Sequence, residues 1–272
     1  MRISSPGETH HPAINITINV LGLLEIAENG ISFNVSGEKL RTIIAMLATG
    51  PHLTVPRDQL IDELWGEKPP TNPTNALQAH IARIRRLLKH RLHHSVPDDI
   101  IRTSGTGYTL TLAEHAVDAH RFLRHVAEGA RPGTPPSRVI DLLERALRLW
   151  RGPALVDTGD GPYCRSVAFR LDSTRVLAQE NLIDAKLALG RHQDLVPELE
   201  QLTAHYPLRE RLADQLMTAL YRCGRQADAL AAYQRTRQRL NLELGIDPSP
   251  ILQARMREIL NQDPSLIELA TG

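Results

Sequence analysis

Ile14, Ile16, Ile18 and Val20 alternate with Asn15, Thr17 and Asn19, the two-residue period of a strand with one buried face. Ile31, Phe33 and Val35 repeat it, and Asn29-Gly30 between the two runs is a strong tight-turn signal. The first 35 residues therefore predict a small antiparallel sheet. The period then changes. Leu40, Ile43, Ile44 and Leu47 make a helical stripe, with Ser36 as its predicted cap and Gly50-Pro51 as its stop. A second helix has Pro56 near its start, turns Leu60, Ile61 and Leu64 inward, and ends at Trp65-Gly66. The polar, proline-rich connector from Glu67 to Pro73 leads into a third. Over residues 74–91, Leu77, Ile81, Ile84 and Leu88 recur at i, i+4, i+7 and i+11, the spacing of one buried stripe. Ile100-Ile101-Arg102-Thr103 and Gly105-Thr106-Gly107 follow, and then Tyr108, Leu110 and Leu112 alternate with Thr109 and Thr111. That pattern predicts a β-hairpin.

Charge makes the third helix the most informative element. Its face opposite the stripe carries Asn75, Ala79, Ala82, Arg83, Arg86 and His90. The segment holds five Lys and Arg residues, and neither Asp nor Glu occurs from Asn72 to Val96. Such a helix can bury one side and press cations and amides against a polyanion. Arg together with Asn and Gln suits the base edges of a DNA major groove. Ala79 and Ala82 are small enough to let the backbone approach the groove floor. Taken alone, the same pattern describes an ordinary solvated basic face. The order sheet, three helices, hairpin is that of a winged helix, which sends its third helix into the major groove and lays its hairpin on the backbone or minor groove. Asn75, Arg83 and Arg86 then face DNA. Arg85 and Gln78, at the flank, meet either phosphate or base. His80 can donate from a neutral imidazole. Thr106 and the amides around Gly105 and Gly107 are candidate phosphate donors.

Composition narrows the remaining classes. A chain of 272 residues is long enough for about two domains. The net charge is only +1, with 11 basic and 10 acidic residues in the first 112, so affinity for a polyanion must come from local clustering. Cys164 and Cys223 form no C-x-x-C pair, which fits a reducing cytoplasm with no zinc site. His90, His93 and His94 match no structural zinc spacing. No G-x-S-x-G, H-E-x-x-H or G-x-x-x-x-G-K motif occurs, so neither catalysis nor a cofactor is expected.

From Val117 onward the pattern is helical. Phe122, Leu123 and Val126 open it; Leu142, Leu143, Ala146, Leu147 and Trp150 continue it beyond the break from Pro132 to Pro136. Leu189-Gly190-Arg191 and Cys223-Gly224-Arg225 then echo each other 34 residues apart, the tetratricopeptide period. Pro207 falls where such a repeat ends its second helix, and Ala229 and Tyr233 take packing positions in the later copy. The expected fold class is an α+β N-terminal winged helix-turn-helix followed by an all-α tetratricopeptide-like domain. Its expected bounds are a polar leader 1–13, the winged helix 14–112, the helical domain 113–264 and a tail 265–272. These residues alone leave open an adaptor that uses its winged helix for protein contact, and a regulator with a small-molecule cavity in its helical stack.

Two stretches carry a resemblance. One is Leu64-Trp65-Gly66-Glu67-Lys68-Pro69-Pro70, then Ala76-Leu77-Gln78, Arg83-Ile84-Arg85 and Gly105-Thr106-Gly107-Tyr108. The other includes Ala146-Leu147-Arg148-Leu149-Trp150-Arg151-Gly152 and the run from Pro207 through Tyr221 to Glu243-Leu244-Gly245-Ile246-Asp247-Pro248. Together they closely resemble the Streptomyces antibiotic regulatory proteins, which join an OmpR-type winged helix to a bacterial transcriptional activation domain. The resemblance spans about Ile14 to Pro264. It implies a cytoplasmic activator of a secondary-metabolite gene cluster that binds direct repeats near the −35 promoter element as a homodimer or higher oligomer. It also implies recruitment of RNA polymerase holoenzyme, including its sigma factor. By position it makes Gln78 and Arg83 base readers, and His80, Arg85, Trp65 and Tyr108 phosphate contacts. Many such wings carry Arg just before Gly-Thr-Gly. Here Ser104 stands at that position and Arg102 is the nearest cation.

Overall fold

The computed structural model describes residues 16–50, 53–92 and 100–266. The leader, Ile14, Asn15, Pro51, His93, His94 and the last six residues lie outside the described residues. The chain forms two compact units. One gathers the residues up to Arg124 together with Arg148–Ser173; the other comprises His125–Leu147 and the residues from Thr174 onward. No helix among the described residues is long and apolar enough to cross a membrane.

In the first unit, β1 (Ile16–Asn19), β2 (Glu25–Glu28) and β3 (Ile31–Asn34) form an antiparallel sheet in that order. β2 escaped the periodicity reading because its adjacent Ile26 and Ala27 are both buried, leaving no alternation to detect. Asn29 and Gly30 join β2 to β3 with φ of 50° and 86°, the left-handed backbone that a two-residue hairpin turn requires. α1 (Glu38–Thr49) buries Leu40, Ile43, Ile44 and Leu47 as expected, and also Thr42, Ala45, Met46 and Ala48. Its N-cap is Gly37 and no side chain caps it, so Ser36 stands one residue too early for the predicted role.

β4 (Val55–Pro56) and α2 (Arg57–Trp65) precede α3 (Pro73–Arg91). β5 (Ile101–Thr103) and β6 (Gly107–Leu110) are the predicted hairpin. β4 completes a three-stranded sheet in the order β4-β6-β5, pairing Val55 with Tyr108 and Pro56 with Gly107. A Cβ at Gly107 would overlap Val55 O, so the close approach of β4 demands glycine there.

Three buried or half-buried carboxylates hold Arg148–Ser173 and the start of α4 (Asp118–Gly129) to this unit. Asp118 is 1% exposed and accepts from Val20 N at 2.8 Å and Leu21 N at 3.1 Å. Burial pushes its pKa up, against the opposing pull of those amides and of Arg151. Asp157 accepts from Leu24 N at 3.0 Å and pairs with Arg41 at 3.0 Å. Glu63, on α2, accepts from Tyr163 N at 2.8 Å and Cys164 N at 2.9 Å. Those amides belong to the first turn of α6 (Pro162–Ala188), which lacks acceptors of its own. The Glu63 carboxylate thus caps a helix 100 residues away in sequence. Burial, and then Glu63, push the Cys164 thiol up to about 12, so it stays protonated and inert. Tyr163 Oη and Thr49 Oγ1 add a bond of 3.1 Å.

The second unit holds the end of α4, then α5 (Pro136–Leu147), the rest of α6, α7 (His192–His205), α8 (Glu210–Arg222), α9 (Gln226–Leu244) and α10 (Pro250–Leu260). The 34-residue echo is structural. Gly190 and Gly224 have φ of 74° and 75°, and each closes its helix with the same bonds. Arg191 N reaches Lys186 O at 3.0 Å and Arg225 N reaches Leu220 O at 2.9 Å, the Schellman closure that favours glycine. Ala229 and Tyr233 are buried as expected. Leu199, Leu212, Met217 and Leu220 share their core with Leu252 and Ile259 of α10. The architecture is the expected winged helix followed by a tetratricopeptide-like stack.

A Cβ at Gly161 would overlap the Glu63 carboxylate. Gly161→Ala is therefore expected to lower the unfolding free energy by about 1–3 kcal/mol. Chemical denaturation of the full chain measures it, and an unchanged midpoint would show that the cap is not confined as described.

Candidate nucleic-acid interface

α3 starts cleanly because Asn72 Oδ1 accepts from Asn75 N at 3.0 Å and Pro73 occupies the first helical position. Lys89, His90 and Arg91 fall in its last turn, where cations favour the helix dipole. Leu77, Ile81, Ile84 and Leu88 are all 3% exposed or less. Asn75, Gln78, Ala79, Ala82, Arg83, Arg86 and His90 are exposed. The helix therefore presents amides and guanidinium groups on one side, with two alanines between them and no carboxylate along its length.

Three further groups flank this face. Trp65, at the end of α2, is half-buried; its ring centroid lies 6.0 Å from that of His80 and 5.0 Å from Lys39 Nζ. Lys39 Nζ also donates to Leu64 O at 2.6 Å, satisfying a carbonyl at the end of α2. Partial burial, then the charges of Lys39 and Arg83, lower the pKa of His80 from 6.5. His80 is thus neutral at pH 7 and offers a ring N–H without a charge. Sequence periodicity gave no reason to single out Lys39, which sits in the first turn of α1 at a position that only the packing of α1 on α2 brings near α3.

The wing is braced from two sides. Arg85 is half-buried, and its Nε donates to Ile101 O at 3.1 Å while its Nη2 donates to the same carbonyl and to Thr103 Oγ1 at 2.8 Å. Those bonds commit much of its guanidinium to joining α3 to β5. Arg57, which opens α2, was not singled out by sequence. Its backbone N–H donates to Thr106 O at 3.0 Å and its Nη2 to Ser104 O at 3.3 Å. Ser104 N donates to Gly107 O at 2.9 Å, and its Oγ accepts from Gly107 N at 3.2 Å, so Ser104 closes the wing turn on itself. Thr106 and Arg102 are exposed at the tip and on β5. Tyr108 is only 2% exposed. On β6 it points inward with Leu110, so its ring belongs to the core and not to the surface that the phosphate role would need.

The structure thus brings Asn75, Gln78, Arg83 and Arg86 to one open face, with Trp65 and His80 at one flank. It places Arg102 and Thr106 on the wing, and uses Arg85, Ser104 and Tyr108 mainly for internal support. Two outcomes check this division. Lys39→Ala is expected to raise the His80 pKa back toward 6.5, seen in the NMR titration of the imidazole. Arg85→Ala is expected to speed amide exchange across Ile101–Thr103; equal protection would mean that Arg85 does not brace the wing.

Residues 36–110 match the family described as "Transcriptional regulatory protein, C terminal", and residues 117–260 match "Bacterial transcriptional activator domain". The chain is 44% identical over 252 residues to the transcriptional regulator RedD of Streptomyces coelicolor, covering 92% of this chain and 72% of that protein. It is 38% identical to the regulatory protein DnrI of Streptomyces peucetius, over 92% of this chain and 93% of that one. It is 40% identical to the regulatory protein AfsR of Streptomyces coelicolor over 94% of its own length, but spans only 25% of that larger protein. A solved structure of EmbR from Mycobacterium tuberculosis matches with a TM-score of 0.84 at 32% identity, covering 93% of this chain and 68% of that one.

Proposed function

The chain belongs to the Streptomyces antibiotic regulatory protein family of transcriptional regulators, and we propose that it is a cytoplasmic activator of a secondary-metabolite gene cluster. In this reading the first unit binds direct repeats near the −35 promoter element, and the protein recruits RNA polymerase holoenzyme with its sigma factor. The observation that carries it is the exposed, acid-free face of α3, set beside a braced wing. Nothing in that arrangement calls for catalysis: the family and both matched domains are those of regulators, not enzymes.

Roles follow from position. Arg83 and Gln78 read bases, since an exposed guanidinium and amide on the groove face can each make paired bonds to a base edge. Asn75 and Arg86 extend that face toward either end of the helix. His80 and Trp65 donate ring N–H groups to the backbone, and Arg102 and Thr106 contact it from the wing. Arg85 acts chiefly by holding β5 against α3. Direct repeats imply subunits arranged head to tail, so the homo-oligomer forms on DNA without a two-fold axis.

Footprinting on the promoters next to the gene, followed by transcription in vitro with purified holoenzyme, tests the whole reading. Protection of spaced direct repeats and stimulated transcription are expected. Arg83→Ala is expected to weaken promoter binding by about 1–3 kcal/mol and to relax base preference at one position per half-site. Unchanged affinity and preference would remove Arg83 from base reading.

A further inference from the structure

The second unit contains a groove that the activator reading does not use. α8 packs on both α7 and α9, and an open cavity of about 310 Å³ is lined by all three. Ala213 and Leu216 of α8 and Ala232 of α9 are buried beneath its floor, each 3% exposed or less, and Ala204 of α7 is exposed at its edge, so its accessible apolar surface is small. Its polar side is uneven. α9 contributes Arg235 and Arg239, one helical turn apart, whereas α7 contributes Glu200.

The donors in this groove are almost entirely guanidinium. Thr203 and Thr236 also line it, but their hydroxyls donate to Leu199 O at 2.8 Å and Ala232 O at 3.2 Å on their own helices. Arg235 is exposed and has no ion pair or hydrogen bond among the described residues. Arg239 pairs with Glu243 of its own helix at 3.0 Å, with its side chain 60% exposed. No Asp or Glu stands between Asp228 and Glu243, so nothing closer along α9 neutralises the pair. The volume is at the lower end of the range of about 300–1,000 Å³ typical of ligand pockets, and an open site encloses too little of a small molecule to hold it well. An open groove between helices with an apolar base suits side chains presented by a larger partner.

We infer that this groove docks a short, acidic, amphipathic segment of a partner protein, with a small apolar side chain against Ala204 and carboxylates on Arg235 and Arg239. Glu200 on the opposite wall, 4.0 Å from Arg225 Nη2, leaves the α7 side without a free cation among the described residues, so the carboxylates face α9. The inference rests on the activator reading and deepens it by naming the chemistry of the partner that the second unit holds.

The test uses the full chain and the double variant Arg235→Glu, Arg239→Gln. Both positions are exposed on a helix and both replacements are good helix formers, so the fold is expected to persist, with circular dichroism as the check. Glutamine at 239 avoids setting a new carboxylate against Glu243. The variant is expected to footprint the promoter as the wild type does, but to lose about tenfold in transcription with holoenzyme, because like charges now face the segment. Arg235→Lys, which keeps the charge, is expected to retain most of the activity. A fluorescein-labelled peptide alternating Glu and Leu supplies an independent arm, read by anisotropy against a Lys and Leu peptide of equal length. Binding of the acidic peptide by the wild type and not by the variant supports the site. Absence of acidic-peptide binding by the wild type, equal binding by the variant, or undiminished transcription by the variant overturns it. If the wild type neither footprints nor activates, the activator reading fails, and the peptide arm alone still decides the groove.

Discussion

Burying Leu77, Ile81, Ile84 and Leu88 against α1 and α2 fixes the rotation of α3 about its own axis. Everything that the helix can present follows from that constraint. A helix of 19 residues is roughly 28 Å long and turns its side chains by about 100° per residue, so once one stripe is committed to the core the opposite face is chosen. Asn75, Gln78, Arg83 and Arg86 are thereby aimed together without any bond among them. Removing a methylene from the stripe therefore bears on more than stability. It loosens the register of every group on the far side.

A second layer of organisation comes from buried carboxylates that serve backbone amides. Taking a carboxylate out of water is costly unless it is hydrogen-bonded, and burial holds the Asp118 pKa up against the opposing pull of the Val20, Leu21 and Ala119 amides and of Arg151. Glu63 receives two amides from a helix N-terminus, where the dipole also favours a negative charge. Because Glu63 lies two residues before Trp65, the cap that secures α6 also secures the end of α2 that carries Trp65. The residues Arg148–Ser173 are in this way part of the unit that displays α3, although residues 117–260 as a whole match the activator-domain family. The coupling of the wing is of the same kind: Arg85 and Arg57 satisfy wing carbonyls from two different helices.

The second unit is built on repetition. Two glycine closures with the same left-handed φ and the same bonding end α6 and α8, and Arg222 Nη1 ties the later repeat to Leu187 O of the earlier one at 2.8 Å. A stack of helical hairpins buries one face of each helix against its neighbours and leaves surface between them. Where the flanking residues are small, as at Ala204, Ala213 and Ala232, that surface becomes a groove; where the outer helix is rich in arginine, it becomes a charged one.

Periodicity alone marked β1, β3, the helices α1, α2 and α3 and the hairpin, because each has one buried face and the spacing of apolar residues records it. The exposed face of α3 was legible for the same reason, as its complement. The 34-residue echo was legible because its glycines meet a local backbone requirement. By contrast β2 and β4 left no trace, one being buried on consecutive residues and the other only two residues long. Ser36 was misread because caps turn on a single position. Tyr108 and Arg85 sit in motifs that point to DNA, yet their surroundings turn one into core and the other into a brace. Local order, and which residues share a face, were determined by the chain itself. What only tertiary structure decided is where each polar group finds its partner: Glu63 with Cys164, Asp118 with Val20, Asp157 with Leu24 and Lys39 with Trp65. These pairings join residues 26 to 133 positions apart, and no local spacing can encode which distant amide or ring an isolated charge will meet.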